Sequence, residues 1–168
     1  LIRVDDPLRA LERIGAAART RLSAKARVVA VTGSAGKTGT KEMLRACLSA
    51  CAGSPEKVHA PEKSFNNHLG VPLTLARMPA ATEFGVFEIG MNHPDEIRPL
   101  AKLVRPNIAI VTNVLPVHVG NFADGEAGVA NAKAEIFEGL VADSAAAILR
   151  LVSRDLSRGQ AVVTAKEG

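Results

Sequence analysis

An α/β fold, with a mostly parallel sheet covered by helices on both faces, is what the sequence predicts, and three observations predict it. Short apolar runs alternate with stretches of helical period along most of the chain. These runs are nearly continuous in apolar residues, as strands buried on both faces must be. The first of them, Val28-Val29-Ala30-Val31, ends in Thr32-Gly33 and a glycine-bracketed turn that opens into a helical stretch.

Taken in order, Asp5-Asp6-Pro7 supplies a cap and a first-turn proline, and Leu8, Leu11, Ile14 and Ala18 follow at helical spacing to about Leu22. After the 28–31 strand and its turn, Lys41 to Cys51 has helical period with Met43, Leu44, Cys47 and Leu48 expected inward. Residues 61–76 form the longest irregular stretch, dense in polar side chains, and long loops in compact domains often carry function. Phe84 to Ile89 reads as a strand, Pro94 to Leu103 as a helix and Ile108 to Thr112 as a strand. Glu126 to Leu140 is helical, with Val129, Ala132, Ile136, Phe137 and Leu140 on one side, and Ala145 to Leu149 and Ala161 to Thr164 each suit a further strand. In such a sheet ligands bind beyond the carboxyl ends of the strands, so chemistry is sought there.

Composition narrows the function classes. The chain has 168 residues, 47% hydrophobic and 23% charged, the profile of one ordinary domain. No apolar run approaches the roughly 18 residues of a membrane-spanning helix. Five Phe with no Trp or Tyr leave little to stack single-stranded nucleic acid, which excludes that class of binder. A net charge of +4 suits an anionic ligand without naming one. Cys47 and Cys51 share a helix face, lack the further ligands of a zinc site, and read as small buried residues. Nothing at the N-terminus marks export, so a reducing cytoplasm is expected; the chain starts at Leu1 without Met, as an excised or processed piece would. A monomer is the default.

Gly33-Ser34-Ala35-Gly36-Lys37-Thr38 has the strand-to-helix setting a phosphate loop needs. Its glycines let successive N–H groups turn to one anion, the helix N-terminus adds partial positive charge, and Lys37 reaches the terminal phosphates. The Thr38 hydroxyl suits Mg²⁺. The spacing keeps only the short form G-x-x-G-K-T, because Val31 stands five before Gly36 where the long form has glycine. Glu88, at the end of an apolar strand, is a carboxylate placed to hold the same Mg²⁺.

Thr32-Gly33-Ser34-Ala35-Gly36-Lys37-Thr38 is joined by Asn66-Asn67-His68-Leu69-Gly70-Val71-Pro72, by Phe87-Glu88-Ile89-Gly90-Met91-Asn92-His93 and by Ala132-Lys133-Ala134-Glu135-Ile136-Phe137. Together, over about residues 1–145, these resemble the Mur ligases, and within them the branch that adds D-alanyl-D-alanine to the UDP-N-acetylmuramoyl-tripeptide in peptidoglycan precursor synthesis. The resemblance implies ATP-dependent amide formation through an acyl phosphate. It implies ATP and Mg²⁺ as cofactors, with two metal sites. Residues Gly33 to Gly39, with Asn67 and Asn113, would bind nucleotide and line the substrate edge, and Lys37 would contact the β- and γ-phosphates. Thr38 and Glu88 would hold the first Mg²⁺ and His118 the second, while Lys133 matches the lysine that is carbamylated in these ligases and would join that second site. Lys37, His118 and Lys133 are thereby the expected catalytic group. Residues 1–27 would be a lead-in helix and interdomain linker and 28–168 most of the central ATP-binding domain. The N-terminal UDP-sugar domain and the C-terminal domain of such ligases have no counterpart in this sequence.

Two local departures stand out. Gly39 occupies a place where many relatives carry Ser or Thr, and Leu149 to Asp155 does not reproduce the Asn-x-Asp stretch near adenine. Two other classes remain open at this point: a generic P-loop NTPase or switch module, and a nonenzymatic remnant of a ligase. The first gives no reason for Asn66-Asn67 or for the spacing from His118 to Lys133, and the second none for an intact Lys37, Thr38 and Glu88.

Overall fold

The computed structural model describes residues 3–116, 119–122 and 124–141, and the backbone of 146–149. The element order is α1 (Pro7–Thr20), β1 (Arg27–Thr32), α2 (Lys37–Ala52), β2 (Val58–His59), α3 (Gly70–Ala76), β3 (Phe84–Glu88), α4 (Ile97–Val104), β4 (Ile108–Val111), α5 (Gly125–Ala134) and β5 (Ala146–Leu149). The strands form one sheet in the order β2-β3-β1-β4-β5, every pairing parallel. The expected α/β class, with helices on both faces, is what the chain adopts. The strand expected at Ala161 to Thr164 lies outside the described residues.

Alternation along β1 divides the core. Val28 and Ala30 join Val71, Leu75, Phe87, Ile97, Ala109 and Ile136 in one buried cluster, the side that α1, α3 and α4 cover. Val29 and Val31 are buried on the opposite face, where α2 lies across β1 to β3. Fully burying one such valine stabilises the fold by about 1.5–3 kcal/mol, so the centre of the sheet is its firmest part. Register sets Val31 beside Glu88 and Thr32 beside Val111, which brings the carboxyl ends of β1, β3 and β4 to one edge.

Several local expectations change. Asp6 caps α1 as read, its carboxylate accepting the Leu8 and Arg9 amides at 2.9 and 3.1 Å. Ile14, however, is 56% exposed, because α1 turns Gly15 and Ala18 inward. A side chain at Gly15 would meet Leu75 Cβ and the Pro72 carbonyl at 3.1 Å, so glycine here permits the close approach of α1 to α3. On α2 Leu44 and Leu48 turn inward as read, joined by Lys41, whereas Met43, Cys47 and Cys51 are exposed, and the cysteines are free thiols and not core.

The 61–76 stretch is not wholly irregular, since its last seven residues are α3, buried at Gly70, Val71, Pro72, Thr74 and Leu75. With five of its seven residues buried there is little amphipathic period to read, and Pro72 falls in the first turn, where no helical N–H is needed. The two-residue β2 carries no readable period at all. α4 starts at Ile97 rather than Pro94, because Asp95 adopts a positive φ of 64°. The 126–140 helix is α-helical to Ala134 and tightens into a 3₁₀ turn over Glu135–Gly139. No helix among the described residues is long and apolar enough to cross a membrane.

Candidate functional site

The turn after β1 is braced from β4. Thr112 and Asn113 follow β4, and Asn113 Oδ1 accepts the Ala35 amide at 2.9 Å while its Nδ2 donates to the Ala35 carbonyl at 3.2 Å. Thr112 Oγ1 donates to the same carbonyl at 2.6 Å, and the Ser34 hydroxyl accepts the Leu115 amide at 3.0 Å. Gly33, with φ of 150°, lies so close to Thr112 that a Cβ would sit 1.9 Å from its hydroxyl oxygen. Gly36, at φ of 80°, turns the chain into α2. The Ala35 amide is thus committed to Asn113. The amides left to face an anion are those of the first turn of α2, where the first helical bond is Thr40 N to Gly36 O at 2.9 Å. Lys37 arches back over this turn and donates from Nζ to the Gly33 carbonyl at 2.8 Å. Gly39 sits in open space.

At the next strand end, Glu88 is 2% exposed. Its Oε2 accepts the Thr38 hydroxyl at 2.9 Å and its Oε1 accepts Asn66 Nδ2 at 2.7 Å. Ser64 Oγ lies 3.0 Å from Thr38 Oγ1. Among the described residues no lysine or arginine pairs with this buried carboxylate, and buried charges require compensation. Hard carboxylate and hydroxyl oxygens beside a phosphate loop are the donor set of Mg²⁺, so Thr38 and Glu88 fit that ion.

Lys133, on α5, is 4% exposed and has no hydrogen-bond or ion-pair partner among the described residues. Burial, and then the facing charge of Lys37, lower its ammonium to about 8. The same stretch supplies Glu135, whose carboxylate accepts the Asp95 and Arg98 amides, each at 2.9 Å, and so caps the start of α4. Glu96 closes the preceding turn by accepting the Asn92 amide at 2.7 Å. The start of α4 is therefore capped from the end of α5 by Glu135, while Glu96 orders the turn that leads into it.

From Lys37 a cleft of about 610 Å³ extends past Asn66, Asn67 and His68 to Gly90, Asn92 and Glu96. The loop 33–38, Glu88, Asn113 and Lys133 lie together at the carboxyl edge of the sheet. Asn67 lines the cleft but spends its Oδ1 on the Leu69 and Gly70 amides at the entry to α3. His118 lies outside the described residues. Sequence reasoning passed over Ser64, Asn66 and Glu135 as site-forming groups. Asn66 belongs to the Asn66–Pro72 motif, but only its hydrogen bond to Glu88, 22 residues away, identifies it as site-forming.

A parallel sheet with a braced phosphate turn, a lysine over it and a carboxylate–hydroxyl pair beside it defines a P-loop nucleotide-binding domain. The chain belongs to the Mur ligase family: residues 31–162 match the Mur ligase middle domain. It is 43% identical over 143 residues to the UDP-N-acetylmuramoyl-tripeptide–D-alanyl-D-alanine ligase of Bacillus subtilis (strain 168), covering 85% of this chain and 30% of that one. With the enzyme of the same name from Escherichia coli (strain K12) it shares 40% identity over 151 residues, 90% of this chain and 32% of the relative. Among solved structures, MurF from Acinetobacter baumannii superposes with a TM-score of 0.77 at 35% identity, over 90% of this chain and 32% of that one. MurF ligase from Thermotoga maritima in complex with ADP gives 0.74 at 28% identity, over 88% and 33%. The chain thus spans about a third of the length of the relatives it matches.

Proposed function

We propose that this chain forms the nucleotide-binding centre of an ATP-dependent ligase that joins D-alanyl-D-alanine to the UDP-N-acetylmuramoyl-tripeptide, in the cytoplasmic synthesis of peptidoglycan precursors. The observation that carries the reading is the convergence of the braced 33–38 turn, the Thr38–Glu88 pair and the adjoining cleft at one sheet edge. A carboxylate is a poor electrophile, so the tripeptide carboxylate first takes the γ-phosphoryl group as the β–γ bridging bond breaks and ADP leaves. The amine of D-alanyl-D-alanine then attacks the carbonyl carbon, loses a proton, and expels phosphate as the C–O bond breaks. Lys37 leaves the Gly33 carbonyl for the β- and γ-phosphates and offsets charge developing there. Thr38 and Glu88 would hold a Mg²⁺, which when bound spreads the charge of the transferring group. The adjoining cleft, lined by Asn66, Asn67 and His68 together with Asp95 and Glu96, offers the acceptor peptide neutral, basic and acidic side chains.

Lys133 would act as a carbamate. An amine lowered to about 8 has a neutral fraction near neutral pH able to add CO₂ and release a proton. The product replaces a cation that repels Lys37 with an anion, which together with His118 would hold a second metal. An N-terminal domain for the UDP-sugar and a C-terminal domain closing over ATP would complete the enzyme, since positioning both substrates supplies much of the rate.

The test is titration calorimetry with Mg-ATP on the wild-type chain and on Lys37→Ala. Binding by the wild type, weakened at least about tenfold in the variant, is expected for loss of a charge-assisted phosphate contact. A wild type with no affinity for Mg-ATP, or a variant that binds as well, would refute the reading.

A further inference from the structure

Lys41 has no solvent exposure and stands among the largest fully buried side chains of the described residues. It lies one helical turn beyond Lys37 and takes no part in the chemistry above. An ammonium withdrawn from water has to be held, and here Nζ donates to the Pro61 carbonyl at 2.8 Å and stands 2.9 Å from Glu42 Oε1. Pro61 begins the segment that returns Ser64 to Thr38 and Asn66 to Glu88. The far end of that segment is fixed by the Gly90 amide, which donates to the Asn66 carbonyl at 2.8 Å.

We propose that Lys41 is a positioning residue: it pins the 61–66 segment to the phosphate helix so that Ser64 and Asn66 aim the Thr38 hydroxyl and the Glu88 carboxylate at a divalent cation. The inference rests on the metal reading of Thr38 and Glu88 and goes beyond it. Thr38 has one hydroxyl proton, which it gives to Glu88, so Ser64 donates to Thr38. Once both oxygens turn to a cation, the Thr38 proton needs another acceptor, and Ser64 Oγ at 3.0 Å is in reach. Asn66 meanwhile keeps Oε1 of Glu88 engaged and leaves Oε2 for the ion. Both effects require the segment to stay against α2, which is what the Lys41 bond provides.

Hydrogen exchange and calorimetry on the whole chain test this in the wild type, Lys41→Met, Ser64→Ala and the double variant. In Lys41→Met the amides of 62–67 are expected to exchange at least about tenfold faster while those of 33–38 keep their rates. The tightening of ADP binding on adding Mg²⁺ is expected to fall about tenfold, with Mg²⁺-free ADP affinity unchanged. Ser64→Ala, at an exposed position, should reduce the tightening about threefold, the effect of one lost hydrogen bond, and the double variant should do no worse than Lys41→Met. Equal exchange over 62–67 in wild type and Lys41→Met overturns the proposal. Should Lys41→Met fail to fold, full Mg²⁺-dependent tightening in Ser64→Ala overturns it instead. A wild type that binds no ADP refutes the nucleotide reading, and the exchange comparison, which needs no nucleotide, then decides Lys41 alone.

Discussion

Two lysines of this domain are withdrawn from water, and their surroundings could hardly differ more. Lys41 is 0% exposed and bonded to the Pro61 carbonyl and Glu42; Lys133 is 4% exposed and has no partner among the described residues. The first sits where a backbone carbonyl from another segment meets α2, so its charge is spent on holding that segment. The second faces Lys37, a like charge, across the phosphate turn, and pays for burial without compensation. A partnered buried ammonium builds the site, whereas an unpartnered one is available for chemistry.

The sharpest way to break this contrast is to remove both ammonium groups and compare stabilities. Lys41→Met leaves the Pro61 carbonyl buried without its donor and is expected to destabilise by about 1–3 kcal/mol in urea unfolding. Lys133→Met replaces a desolvated charge with an apolar chain of similar length and should be neutral or stabilising. Equal losses for the two would show that the difference in partners has no energetic meaning.

The same contrast explains which parts of the site were legible in the sequence. The 33–38 turn, β1 and Glu88 could be read because their information is local: a strand, a glycine spacing, a lysine and a hydroxyl within a few residues. Lys133 was legible only through the company of other motifs, since a lysine on a helix is ordinarily solvated. Lys41 was invisible, because its partner Pro61 lies twenty residues away and a lysine in a stripe with Leu44 and Leu48 breaks the apolar pattern that assigns an inward face. That break is also why the apolar period points Met43 and Cys47 inward. The bracing by Asn113 depends on a contact 78 residues apart, set by β4 lying next to β1 in the sheet. The two-residue β2 is too short, and the seven-residue α3 too evenly buried, to carry a pattern that can be read.

A smaller effect separates the lysines by pH. A folded-state value near 8 against the ordinary 10.5 means that between those pH values the unfolded chain carries a proton on Lys133 that the folded chain lacks. Stability then rises with pH through that window. With CO₂ excluded, the wild type should gain a few °C in melting temperature relative to Lys133→Met on going from below pH 8 to above pH 10, the shift that about 1 kcal/mol produces in a domain of this size. A difference that stays flat, or falls, across the window would mean that Lys133 is compensated in solution. In the presence of bicarbonate the rise should begin at lower pH, because a carbamate on Lys133 would keep the folded chain from taking up the proton that the unfolded lysine carries.

The smallest expected effect identifies which of Lys41's two contacts holds the segment. The Glu42 side chain is 38% exposed and also receives Arg45, so water and a second cation already stabilise its charge. Hydrogen bonding from Lys41 lowers the Glu42 carboxyl below the usual range, but with the carboxylate itself open to water the pair contributes little once screening is counted. Glu42→Gln is therefore expected to destabilise by less than about 0.5 kcal/mol and to leave exchange over 62–67 as in the wild type. The buried Pro61 carbonyl, which has no water to replace the ammonium, then accounts for the anchoring. A loss in Glu42→Gln as large as in Lys41→Met would transfer that role to the carboxylate, and the segment would be held by charge at the surface instead of by a hydrogen bond in the core.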